Sequence, residues 1–147
     1  MPGEDVQSVI SKGLEALSSH REELACTYFE QAIAMERTPQ ACSYLAYCLA
    51  KVRGRYQEAI SLAHEALDRE PENPLHYLNL GRVLSLSGDR EQAVHVFRKG
   101  MEYGMHFEFI AELELGGMRK PSILKKLLRS NFLNKHLGHM LSRLKLR

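Results

Sequence analysis

The sequence predicts an all-α chain, a stack of helix pairs followed by further C-terminal helices. Three observations carry this. Apolar and small residues recur at helical spacing, with no strand-like alternation anywhere. The pattern returns at a spacing of 34 residues. Prolines and capping residues fall between the periodic segments, where helices stop and start.

Laid on itself at that spacing, Gly54-Arg55-Tyr56-Gln57-Glu58-Ala59-Ile60 falls on Gly88-Asp89-Arg90-Glu91-Gln92-Ala93-Val94. Upstream it falls on His20-Arg21-Glu22-Glu23-Leu24-Ala25-Cys26. Gly13, Tyr47 and Gly81 stay in register, as do Ala16, Ala50 and Leu84. So do Phe29, Ala63 and Phe97, then Ala32, Ala66 and Gly100. Helices are therefore predicted near residues 6–18, 22–35, 40–52, 56–69, 74–86 and 90–103. Thr38-Pro39 and Glu70-Pro71-Glu72-Asn73-Pro74 separate the units, since proline suits a first helical turn and not an interior. Asp89 is placed to cap the sixth helix. Ala59, Ala63 and Ala66 give the fourth a thin buried face, and Met105–Leu115 reads as one more short helix.

The pattern resembles the tetratricopeptide repeat, a helix–turn–helix unit of 34 residues. Tyr77, Leu80, Gly81 and Leu84 match the aromatic–Leu–Gly–apolar positions of its first helix. Ala93 and Phe97 match its second, with Gly100 for the usual Ala. The middle copy supplies Gly54, Tyr56, Ala59, Ala66 and Pro71, whereas the first diverges, with His20 at the turn and Arg37 where the family has proline. The resemblance implies a right-handed α-solenoid of three helix pairs, at about 6–39, 40–73 and 74–104. Residues 105–147 would form a basic helical extension that packs on the repeats and caps them. It also explains the alanines, because neighbouring helices must approach closely there.

In this family the first helices line a concave face. Carried over residue by residue, that face holds Gln7, Ile10 and Leu14, then Ala41, Tyr44, Cys48 and Val52, then Leu75, Leu78, Arg82 and Leu86. Of these, Ile10, Leu14, Tyr44, Cys48, Val52, Leu78, Arg82 and Leu86 are the candidate partner-binding residues. A mostly apolar groove suits an amphipathic helix or an extended segment. Some family members grip a peptide carboxylate through Lys, Asn and Arg. Here those positions hold Ile10, Leu14, Leu45 and Leu75, with Asn79 the one match, which argues against such a clamp.

Net charge is +2, but it is divided. Residues 1–114 carry 11 Lys/Arg and all 18 Asp/Glu, whereas residues 115–147 carry nine Lys/Arg and no acid. In the latter, Ile123, Leu124, Leu127 and Leu128 oppose Lys125, Lys126 and Arg129; Leu133, Leu137, Met140 and Leu144 oppose Lys135, His139 and Arg143. Capping of the last repeat is one reading, and an anionic membrane or nucleic acid bound through Lys125, Lys126, Arg129, Lys135 and Arg143 is the alternative. Phe132 is the segment's one aromatic residue, which weighs against single-stranded nucleic acid. The run from Arg119-Lys120-Pro121 through Leu133-Asn134 to Leu137-Gly138 is also similar to C-terminal extensions of some bacterial members of the family.

Cys26, Cys42 and Cys48 form no CxxC pair, so buried reduced thiols are expected. No catalytic motif occurs, and His136 and His139 lack a third metal ligand. No enzyme activity, cofactor, metal or small-molecule substrate is expected. The acidic start MPGEDVQ and the lack of a long apolar run point to a cytoplasmic protein. The expectation is thus a protein-interaction scaffold, of the kind that serves in bacteria as an assembly factor or secretion chaperone, with a homodimer left open.

Overall fold

The computed structural model describes residues 3–115, and every regular element among them is helical. These are α1 (Val6–Ser18), α2 (Glu22–Met35), α3 (Pro39–Cys48), a π-helical turn (Leu49–Arg53), α4 (Tyr56–Arg69), α5 (Pro74–Leu86), α6 (Arg90–Met101) and α7 (His106–Leu115). Four helices have the bounds that the periodicity predicts. α6 stops two residues early, and the third helix ends in a π turn that the sequence pattern does not reveal.

The caps explain the starts. Asp5 accepts from the Ser8 N–H at 2.7 Å, Thr38 from Ala41 at 3.2 Å, Asn73 from Leu75 at 3.1 Å, and Asp89 from Gln92 at 3.2 Å. Each satisfies a backbone donor that the first helical turn leaves without a partner.

Helices pair in sequence, α1 with α2, α3 with α4 and α5 with α6. The pairs stack through α2 on α3, α4 on α5 and α3 on α5. Small residues make this close stacking possible. Ala25, Ala32, Ala59, Ala63, Ala66 and Ala93 are all fully buried. Gly13 and Gly81 lie directly under the rings of Phe29 and Phe97, so that a Cβ on either would collide with the ring. Both rings are fully buried, worth about 1.5–3 kcal/mol each by transfer alone.

The turns inside the three pairs share one backbone conformation. His20, Gly54 and Gly88 have φ of 56°, 61° and 93°. In the outer pairs the chain then closes with a bond spanning five residues, Arg21 N–H to Ala16 and Asp89 N–H to Leu84. In the middle pair the equivalent bond reaches one residue further, from Arg55 to Leu49. The π turn before Gly54 accompanies this longer span, with no residue inserted into the repeat spacing. Beyond α6, Phe109 of α7 meets Phe97 at 5.9 Å, and Tyr103 stacks on Tyr77 at 5.4 Å. The chain divides into two units between Phe109 and Ile110, and the three helix pairs belong to the first.

Candidate partner-binding face

α3 and α5 touch directly, so their side chains build one surface across two helix pairs. On α3, its π turn and α5, Tyr44, Val52 and Arg82 are half-buried and Leu86 is 41% exposed; Leu14 of α1 is half-buried too. Ile10, Cys48 and Leu78 are buried, at 1%, 0% and 2% exposure. At such exposure a side chain gives a partner no contact area, so these three serve as packing beneath the face. Periodicity identifies the side of a helix but not what covers it. Of the other positions carried over from the family, Gln7 is exposed, Leu75 half-buried and Ala41 fully buried.

Tyr44 is held by a stacking contact with Phe29 of α2, 5.3 Å between centroids and 13° between planes. Burial raises the pKa of its hydroxyl, opposed in part by the positive charge of Arg82. Tyr44 therefore presents a neutral phenol at the junction of the first and second pairs.

Beside it lies a group that the family signature does not predict. Tyr47 stands where Gly13 and Gly81 stand in the other pairs. The Lys51 ammonium lies 5.5 Å from its ring centroid and donates to its hydroxyl at 3.1 Å. The Arg82 guanidinium lies 5.3 Å from the same centroid. Two cations from successive first helices thus converge on one ring, a favourable placement because its face carries negative charge density. Lys51 also pairs with Glu22 at 3.1 Å. The hydrogen bond to Tyr47 and then that to Glu22 hold its pKa above the ordinary value, so it stays charged.

Arg82 is positioned from below. Its Nη1 lies 3.4 Å from Asn79 Oδ1, and Asn79 Nδ2 donates to Ser43 Oγ at 3.0 Å. Asn79 and Ser43 are fully buried, so this bond satisfies polar groups that would otherwise be costly to bury. Tyr47, Lys51 and Ser43 are the residues that family analogy misses. The signal for them was present as a tyrosine in a glycine register.

Charge is sorted by helix. From Pro39 to Arg53 and along α5 the chain carries Lys51, Arg53 and Arg82 and no carboxylate. α2 and α4 carry Glu22, Glu23, Glu30, Glu58, Glu65 and Asp68 against Arg69 alone. Arg53 reaches back to Glu23 at 3.2 Å and to Glu30. Arg37 forms a bidentate pair with Glu65, at 2.6 and 2.7 Å. A separate cleft near α2 and α4 is lined by Glu30, Ile33, Arg37, Leu45, Glu58, Ser61 and Leu62.

The three cysteines are free and buried. Burial pushes the Cys26 thiol up to about 11 and the Cys48 thiol up to about 12, so neither supplies a thiolate at neutral pH. Among the described residues, no group of three or more His, Cys, Asp or Glu is placed to hold a metal, and no helix is long and apolar enough to cross a membrane. Lys125, Lys126, Arg129, Lys135, Arg143, His136 and His139 lie outside the described residues, as does nearly all of the basic C-terminal segment.

Residues 53–104 match the family model of the tetratricopeptide repeat. The match covers the end of the middle first helix, α4, α5 and α6. The matched stretch thus resembles the tetratricopeptide repeat, and three helix pairs on one spacing are consistent with a stack of such units. Comparison with curated proteins finds no match. Proteins built from this repeat generally mediate protein–protein interaction, and the family is typically non-enzymatic.

Proposed function

We propose that the chain is a non-enzymatic interaction module that holds a helical or extended segment of another protein against its first helices. The observation that carries this reading is the half-exposed surface of α3 and α5. There Tyr44, Val52, Arg82 and Leu86 offer aromatic, aliphatic and cationic contact on directly packed helices. Apolar and aromatic anchors on a rigid scaffold suit the docking of an amphipathic segment. Service as an assembly factor or secretion chaperone in the bacterial cytoplasm fits such a module, and so does pairing of two copies through this face.

Affinity capture with the full chain tests the reading. Tyr44→Ala and Leu86→Glu should release the captured partner while circular dichroism and the thermal midpoint stay near the wild type. A partner that survives both substitutions, but is lost on deletion of residues 118–147 or by modest added salt, would move the binding to the basic segment. Sedimentation over a range of concentrations reads self-association, which Leu86→Glu should abolish if the face pairs with itself.

A further inference from the structure

The end of the third helix pair departs from the repeat in its own way. Ala32 and Ala66, both fully buried, hold one register position in α2 and α4, and Gly100 takes that position in α6. A Cβ on Gly100 would collide with the Phe109 ring and with Tyr77. The glycine is thus a socket, and Phe109, fully buried and 5.9 Å from Phe97, is the knob that fills it. The link between them is short. Glu102 keeps a helical backbone, with φ of −63° and ψ of −23°, and the Tyr103 N–H still bonds the Gly100 carbonyl at 3.0 Å. The helical path is left at Gly104 and Met105, with φ of 131° and 54°. Glycine accepts a positive φ freely, whereas a methionine there is strained.

From this arrangement we infer that Gly104 and Met105 form a hinge through which two copies of the chain exchange the Phe109 knob. With both residues at helical φ, α6 continues into α7 as one helix and the strain at Met105 is released. Nine residues of straight helix set Phe109 about 13 Å beyond Gly100, too far to fill its own socket. The freed ring enters the Gly100 socket of a second copy, whose own Phe109 returns to the first. Contacts that the segment makes within one copy are remade between two, so the exchange costs little beyond the loss of independent motion. Gly104 opposes the straight form, since glycine is a poor helix residue, and so keeps the two forms in balance. Such a dimer joins two first-helix faces, which gives a partner with two docking segments the benefit of avidity.

Sedimentation velocity on the full chain over a range of concentrations tests this, with Leu86→Glu added to every sample to remove pairing through the first-helix face. Gly104→Ala strains the closed φ, adds a methyl that meets only Pro74 at 3.8 Å, and favours a helix. It should raise the dimer association constant by roughly a hundredfold, since a dimer contains two hinges. Met105→Gly relieves the closed form and weakens the straight one, so it should lower the constant and raise the thermal midpoint. A constant unmoved by Gly104→Ala, or moved in the same direction by both variants, would overturn the inference. A mixing experiment reads the exchange itself. Gly100→Ala blocks the socket and keeps the knob, whereas Phe109→Ala keeps the socket and removes the knob. A heterodimer formed only on mixing the two is the expected result. A mixture that stays monomeric, although each variant keeps wild-type circular dichroism, would overturn the inference. If either variant fails to fold, the two hinge variants decide alone.

Discussion

The middle helix pair and its two neighbours handle one packing junction with opposite sizes. In the outer pairs a glycine on the first helix, Gly13 or Gly81, lies under a phenylalanine of the second, Phe29 or Phe97. In the middle pair the first helix carries Tyr47 and the second carries Ala63, which is fully buried. The outer pairs sink an aromatic ring between their own helices. The middle pair keeps its ring on the first helix, half-buried, where two cations reach it. The same pair is the one whose first helix ends in a π turn. Departure from the repeat and candidate recognition chemistry therefore coincide in one unit, while the outer units keep the regular packing that holds it.

The largest effect should come from breaking the outer arrangement. Phe97→Ala removes a fully buried ring that touches Gly81 and Phe109, and should cost about 3–5 kcal/mol in urea unfolding. Gly81→Tyr alone should also destabilise strongly, because even a Cβ meets the Phe97 ring. Combining Gly81→Tyr with Phe97→Ala rebuilds the middle arrangement in the third pair. The double variant should be more stable than the two single losses predict when added, since the residues share one space. Simple additivity would show that the size reversal has no meaning.

The turns give a smaller contrast. His20 holds φ of 56° where the other pairs place glycine. A left-handed backbone costs an L-residue roughly 1–2 kcal/mol, part of which glycine returns as entropy in the unfolded chain. His20→Gly should therefore raise stability by about 0.5–1 kcal/mol. Gly88→Ala, at φ of 93° with open space around the added methyl, should lower it by about 1 kcal/mol through backbone strain alone. A thermal midpoint that falls with His20→Gly would mean that the imidazole makes a contact worth more than the strain.

These residues also mark how far the sequence could be read. The repeat spacing placed four helices to the residue, two of them, α2 and α4, without any side-chain cap, whereas α3 and α6, capped by Thr38 and Asp89, departed from their expected bounds. The π turn left no mark, since it changes the hydrogen-bond span and not the residue types. Tyr44, Val52, Arg82 and Leu86 were named as surface by the family positions carried over to this chain, and they are the ones left half-buried or exposed. Ile10, Cys48 and Leu78 came from the same carried-over positions and are buried, because a family position says nothing about what packs on it here. The cation pair on Tyr47 joins residues 31 positions apart on two helices, Lys51 and Arg82, and needed the packing of α3 on α5 to appear.

The smallest effect, and the finest comparison, lies at the two junctions between pairs. At the first, Arg37 pairs with Glu65 across the boundary. At the second, buried His76 bonds Glu70 at 2.7 Å through Nε2. The hydrogen bond from Arg37 holds the Glu65 carboxyl below its ordinary value, and that with His76 does the same for Glu70. A carboxyl with a depressed pKa in the folded state adds stability above the unfolded value, near 4.5, and loses it as pH falls through the depressed one. Both junctions should therefore weaken on acidification below about pH 4.5. Both carboxylates are substantially solvent-accessible, so each contributes no more than about 1 kcal/mol. Glu65→Gln and Glu70→Gln should each lower stability in the neutral region by up to about 1 kcal/mol and leave the acid end nearly unchanged, which flattens the acid limb of a stability–pH curve. High salt separates the junctions. The bidentate pair at Arg37 is half-exposed and should be screened, whereas the bond to His76 originates from a fully buried ring and should persist. Equal salt sensitivity at both would show that burial of one partner does not protect the second junction.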